Sequence, residues 1–147
     1  METTSRFRFA LLRCARLLGD EMNAVLVEYD LNYSLWQTLV IIKLFQPCTA
    51  IEIAHELRIS KPAVTKRLNV LFAANWIEQV DTTDKRQKML KISAHGDSLF
   101  EACCQSIDVL EADLLKDFDG EKLKIAHGFI FELMQHLQVR KEHQHDE

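Results

Sequence analysis

The chain has 147 residues, 48% of them hydrophobic and 27% charged, with only four glycines and two prolines. That length can bury a core without metal or disulfide staples, and the composition excludes collagen-like, linker-like and disordered chains. The net charge of −4 is unevenly spread, because between Arg58 and Lys91 eight lysines and arginines stand against three acids; a basic segment in an acidic chain is the footprint of a surface that meets phosphates.

The first predicted element is a helix from Phe7 to Tyr29, where Leu11, Ala15, Leu18, Met22, Val25 and Tyr29 recur at spacings of 4, 3, 4, 3 and 4. Such a seam packs against another long helix, from this chain or a second copy. Asn32 is a suitable N-cap for a helix over Tyr33 to Phe45, whose apolar residues on most faces predict burial. Gln46 to Cys48 break the pattern around Pro47. Thr49 and Glu52 then match a capping box, followed by a short helix, Ala50 to Leu57, and a tight turn, Arg58-Ile59-Ser60.

Ser60 caps the next helix and Pro62 falls in its first turn, where a missing amide hydrogen costs little. Two short helices joined by three or four residues form a helix-turn-helix. In the second helix Val64, Leu68 and Leu71 mark the inward face, Pro62, Thr65, Lys66 and Asn69 fall outward, and Lys61 and Arg67 flank them. Asn75 tolerates the left-handed conformation that ends a helix. Ile77 to Val80 and Met89 to Ile92 are predicted strands around a polar turn, so a hairpin wing follows the helix-turn-helix.

A second long helix follows Ser93, with Leu99, Cys103, Ile107, Leu110 and Leu114 as its seam. Asp119-Gly120 breaks it, and a last helix from about Glu121 carries Leu123, Ala126, Ile130, Leu133 and Leu137. The terminal KEHQHDE is expected to be frayed and solvated, which is also the preferred description of His143 and His145 over a metal site. The fold class is therefore mainly α with a small β-hairpin wing. Three regions are expected: an N-terminal dimerisation helix (1–30), a winged helix-turn-helix (31–93), and C-terminal dimerisation helices with a tail (94–147).

Helix and wing together suit DNA. Major-groove readout needs hydrogen-bonding side chains on an exposed helix face with cations to either side. Thr65, Lys66 and Asn69 meet the first need, and Ser60, Lys61 and Arg67 the second. Lys85, Arg86 and Lys88 at the hairpin suit the negative potential of a minor groove. Asp84 is expected to orient an arginine such as Arg86 through a charge-assisted hydrogen bond.

These residues carry a resemblance. Asp84-x-Arg86 followed by Leu90-Lys91-Ile92-Ser93-x-x-Gly96 resembles the signature of the MarR family of bacterial winged-helix regulators. Leu31-Asn32-Tyr33-Ser34-Leu35-Trp36, Glu52-Ile53-Ala54-x-x-Leu57 and Ser60-Lys61-Pro62-Ala63-Val64-Thr65 are similar to it in the same order. Asn75 stands where that family usually has glycine, Leu35 where glutamine is common, and Val80-Asp81 where a basic residue is frequent. The resemblance implies a homodimer on double-stranded DNA at a pseudo-palindromic operator, acting as a repressor. It also implies control by a small aromatic or carboxylate-bearing effector bound between the dimerisation and DNA-binding regions. Arg16, Tyr29 and Trp36 are the candidate ligand residues, although packing is the commoner role for such aromatics.

Two other readings compete: a winged-helix module for an acidic protein partner, and a thiol redox sensor using Cys14 near the start of the first helix. Cys14, Cys48, Cys103 and Cys104 form no C-x-x-C pair or finger spacing, so neither metal nor cofactor is expected. No histidine is placed to serve a cysteine nucleophile, which argues against an enzyme. The longest apolar run, Leu35 to Phe45, contains Gln37 and Lys43 and falls short of the roughly 20 residues that span a bilayer. With Arg13 and Arg16 interrupting any signal-peptide core, a cytoplasmic location without membrane contact is expected.

Overall fold

A computed structural model describes residues 3–84 and 86–145. In chain order it contains α1 (Thr3–Leu26), a 3-10 turn (Val27–Tyr29), α2 (Tyr33–Phe45), α3 (Ala50–Leu57), α4 (Lys61–Ala73), β1 (Ile77–Val80), β2 (Met89–Ile92), α5 (Ala94–Leu115) and α6 (Gly120–His145). The chain divides into two compact units, Met1–Leu110 and Glu111–Glu147.

In the first unit, α1 departs from its sequence outline at both ends. It begins at Thr3, and its last turn tightens to 3-10 geometry before Asp30 takes a left-handed φ of 57°. A 3.5-residue seam does not distinguish an α turn from a 3-10 turn, and 3-10 turns are frequent at helix ends. The tightening brings Leu31 into the core and lets the Leu31 amide donate to the Leu26 carbonyl at 3.1 Å. Asn32 caps α2 as expected, its side chain accepting from the Leu35 amide at 2.9 Å.

Helix α2 is the central element. Leu39 and Ile42 are fully buried with Leu26, Ile53, Val64 and Leu71, and Trp36 stacks on Phe100 of α5 with ring centroids 4.7 Å apart. The capping box of α3 is complete, with Thr49 and Glu52 exchanging backbone and side-chain hydrogen bonds at 2.9 and 3.2 Å.

Strands β1 and β2 pair antiparallel, with Ile77 opposite Ile92 and Val80 opposite Met89. The connection after α2 adds a short third edge. Cys48 and Leu90 exchange backbone hydrogen bonds of 3.1 and 2.7 Å, and the Gln46 side chain accepts from the Ile92 amide at 3.0 Å. The hairpin's base is thus fixed to α2 as well as to α4. At its other side, Ser93 caps α5 by accepting from the Gly96 amide at 2.9 Å, while its own hydroxyl lies 2.6 Å from the Asn75 carbonyl.

In the second unit, α6 runs to His145, so the helix continues through most of the KEHQHDE segment expected to fray. Lys, Glu and Gln are good helix formers and no Gly or Pro interrupts them. The side chains of His143 and His145 lie outside the described residues. Leu123, Ile130 and Leu137 of the predicted seam are 42%, 41% and 53% exposed. On α1, Phe9, Leu12 and Leu17 are likewise exposed.

Candidate nucleic-acid interface

The turn between α3 and α4 is compact because Arg58 adopts a left-handed φ of 54°, closing α3 with its amide on the Ala54 and His55 carbonyls. Ser60 then caps α4, accepting from the Ala63 amide at 3.3 Å, with Pro62 in the first turn. Asn75 ends the connection beyond α4 at φ 60°, the left-handed role assigned to it from sequence.

Helix α4 separates its faces as the helical wheel predicts. Val64, Leu68 and Leu71 are buried, whereas Ser60, Lys61, Pro62, Thr65, Lys66 and Asn69 are exposed. The Thr65 hydroxyl donates to the Lys61 carbonyl at 3.1 Å, which leaves its oxygen able to accept. Such a face offers a hydroxyl, an ammonium and a carboxamide, which suits base edges.

Arg67 stands apart. Although it was assigned to the outer flank, one guanidinium nitrogen donates to the Ser34 carbonyl of α2 at 3.1 Å and approaches the Thr38 hydroxyl at 3.4 Å. Its position three residues after Val64 and four before Leu71 is the signal that would have revealed this, since those spacings share a helix face.

The wing turn is built around Asp84, but differently from expectation. Its carboxylate accepts from the Arg86 backbone amide at 3.0 Å instead of holding an arginine side chain, and its carbonyl accepts from the Gln87 amide at 3.2 Å and the Thr82 hydroxyl at 2.8 Å. An aspartate that bonds the backbone two residues on is an Asx-turn. Asp84 acts here as a hydrogen-bond acceptor for the backbone. Arg86 and Lys88 are exposed, and Lys85 lies outside the described residues. Lys91 pairs across the strands with Glu78 at 3.3 Å. Among the described residues, Arg58, Lys61, Lys66, Arg86 and Lys88 have no such ion pair, so their charge is available to an external anion.

The candidate ligand residues lie on three different elements, α1, the 3-10 turn and α2. Arg16 is exposed on α1, Trp36 is 7% exposed with its ring on Phe100, and the Tyr29 hydroxyl is held by Ser106 at 2.9 Å and the Ala102 carbonyl at 3.3 Å. Packing accounts for both aromatics. Cys14 is exposed, whereas Cys48 and Cys103 are buried. Burial pushes both of those thiols up to about 11, helped by Glu52 near Cys48 and by Cys104 near Cys103, and a protonated thiol is a poor nucleophile. No group of metal-binding side chains is found among the described residues, and no described helix is long and apolar enough to cross a membrane.

Residues 29–87 match the model of the MarR family. An uncharacterised HTH-type transcriptional regulator of Bacillus subtilis, YwoH, is 29% identical over 122 residues, covering 82% of this chain and 89% of that protein. HTH-type transcriptional regulators of Staphylococcus aureus are 34% identical over 88 residues, which span 59% of this chain and only 60% of theirs. Among solved structures, S. aureus MarR in complex with salicylate and kanamycin superimposes with a TM-score of 0.85 at 24% identity, over 92% of this chain and 93% of that one. An S. aureus MepR–DNA complex gives 0.73 at 21% identity, over 92% and 98%. At these identities the structures establish the shared winged-helix fold.

Proposed function

From the match of residues 29–87 to the model of the MarR family, we propose that the chain is a member of that family: a dimeric, sequence-specific DNA-binding regulator that acts as a repressor and responds to a small effector. The observation that carries this reading is the polar outer face of α4 beside a wing whose exposed cations, Arg86 and Lys88, are free of ion pairs among the described residues. Thr65, Lys66 and Asn69 read bases in the major groove. Ser60, Lys61 and Pro62 lie against the backbone at the helix start, and Lys85, Arg86 and Lys88 enter the neighbouring minor groove with Asp84 shaping the turn. Arg67 serves these contacts from inside.

The regions 1–30 and 94–147 supply the dimer, with 31–93 as the DNA-binding part. Exposed apolar side chains on α1 and α6 are what a second copy would cover, since large uncovered patches mark association surfaces. The S. aureus MarR structure holds salicylate, which supports a small aromatic carboxylate as the effector class here. Such a ligand relieves repression only if it prefers a lobe spacing that DNA does not. Footprinting tests the reading: a dimer protects two half-sites about one helical turn, roughly 34–36 Å, apart, and protection of a single site or of none would refute it.

A further inference from the structure

We infer that Arg67 is a positioning residue that sets the pose of the recognition helix α4 against α2, and that it makes no phosphate contact. The inference rests on the DNA-binding reading above, and its ground is local geometry. Among the described residues, Thr38 is the buried polar residue of the core, fully inaccessible, and its hydroxyl donates its single hydrogen to the Ser34 carbonyl at 3.0 Å. The hydroxyl oxygen is left needing a donor, because a buried acceptor without one loses its hydration and gains nothing. The guanidinium of Arg67 supplies that donor at 3.4 Å while also bonding the Ser34 carbonyl at 3.1 Å.

One cation therefore crosses from α4 to two groups on consecutive turns of α2, over a separation of about thirty residues in the chain. Apolar contacts between Val64, Leu68, Leu71 and α2 resist separation but are non-directional. The guanidinium contact is directional, because one nitrogen of Arg67 serves both acceptors through N–H bonds held in the guanidinium plane, and so it resists rotation and sliding as well. Lys66, the neighbour in sequence, lies about 100° further round the helix and is exposed. The two adjacent cations thus have opposite duties: Lys66 faces the nucleic acid, and Arg67 holds the helix that presents it.

The test uses the full chain, a duplex selected by the wild-type protein from a random pool, and a scrambled duplex, titrated by fluorescence anisotropy over a range of salt. The variants are Arg67→Gln, Thr38→Val, the double variant, and Lys61→Gln, each measured well below its own unfolding midpoint. Arg67→Gln is expected to weaken binding to the selected duplex by about tenfold, the scale of losing a charge-assisted hydrogen bond. Its affinity for scrambled DNA and its salt slope should stay at wild-type values. Lys61→Gln, at the helix start placed against the DNA backbone, should weaken both duplexes and lower the slope by about 1, as loss of one phosphate contact does. Thr38→Val should share the specific loss of Arg67→Gln, and the double variant should be less than additive.

A slope reduced by about 1 in Arg67→Gln, with equal losses on both duplexes, would make Arg67 a phosphate contact and overturn the inference. So would wild-type affinity in Arg67→Gln, including the case where only its unfolding midpoint falls. If the wild-type protein itself fails to discriminate the duplexes, the functional reading fails, and separately from this one.

Discussion

Replacing Gly96 by alanine probes the joint between the wing and α5. A Cβ built there would lie 2.0 Å from the Trp76 carbonyl oxygen, 2.8 Å from its carbon and 3.0 Å from its Cα. Real contacts of this kind essentially never fall below 3.0 Å, so backbone must move by about 1 Å. The Trp76 carbonyl cannot yield freely, because it accepts from the Ser93 amide at 3.0 Å and lies 3.2 Å from the Ser93 hydroxyl. Losing the amide hydrogen bond, at about 1 kcal/mol, with about 1–3 kcal/mol of overpacking strain, gives a cost of about 2–4 kcal/mol. For a chain of this size each kcal/mol lowers the unfolding midpoint by about 2–4 °C, so a fall of about 10 °C is expected. Trp76 is one of the chain's two tryptophans, so fluorescence-detected melting at fixed protein concentration reports on the site itself. A midpoint within about 2 °C of wild type would refute the close-approach account.

Four further outcomes follow from the same structure. Gly128→Ala in α6, where an added Cβ meets nothing within 4 Å, should stabilise the protein by up to about 1 kcal/mol in the same assay, and destabilisation would show that the site is packed. Thr49→Ala removes the capping box of α3 and should cost about 1 kcal/mol in urea titrations. Asp84→Asn keeps the oxygen that accepts from the Arg86 amide, so its DNA affinity should stay within about threefold of wild type, while Asp84→Ala loses the Asx-turn and should bind more weakly; equal damage from both would restore the arginine-orienting role. Finally, the buried thiols of Cys48 and Cys103, held at about 11 against an ordinary 9.0, keep their protons longer in the folded state. Their contribution is complete below pH 9 and is lost as pH rises to 11, so a thiol reagent at pH 8 should label exposed Cys14 in the native protein and Cys48 and Cys103 only after unfolding.

The arrangement of elements was legible because its signals are local. Asn32, Thr49 and Ser60 each declare a helix start through a side chain that reaches an amide three residues on. Val64, Leu68 and Leu71 declare the inward face by spacing alone. What the sequence did not disclose depends on partners distant in the chain. Arg67 appeared to be a flanking cation because Thr38 and the Ser34 carbonyl, its acceptors, belong to another helix. Asp84 appeared to be an arginine's counter-ion because composition reports charge and not the backbone path that puts the Arg86 amide within 3.0 Å. The short third edge at Cys48 was hidden in the same way, since a single bridge to Leu90 leaves no alternation to detect.

The central claim, that α4 and the wing read a specific DNA sequence, is tested most directly by the ratio of affinities for a selected and a scrambled duplex at moderate salt. A regulator of this kind should favour the selected duplex by about a thousandfold or more, and Arg86→Ala should weaken binding while lowering the salt slope. Equal affinity for both duplexes, with Arg86→Ala without effect, would contradict the account.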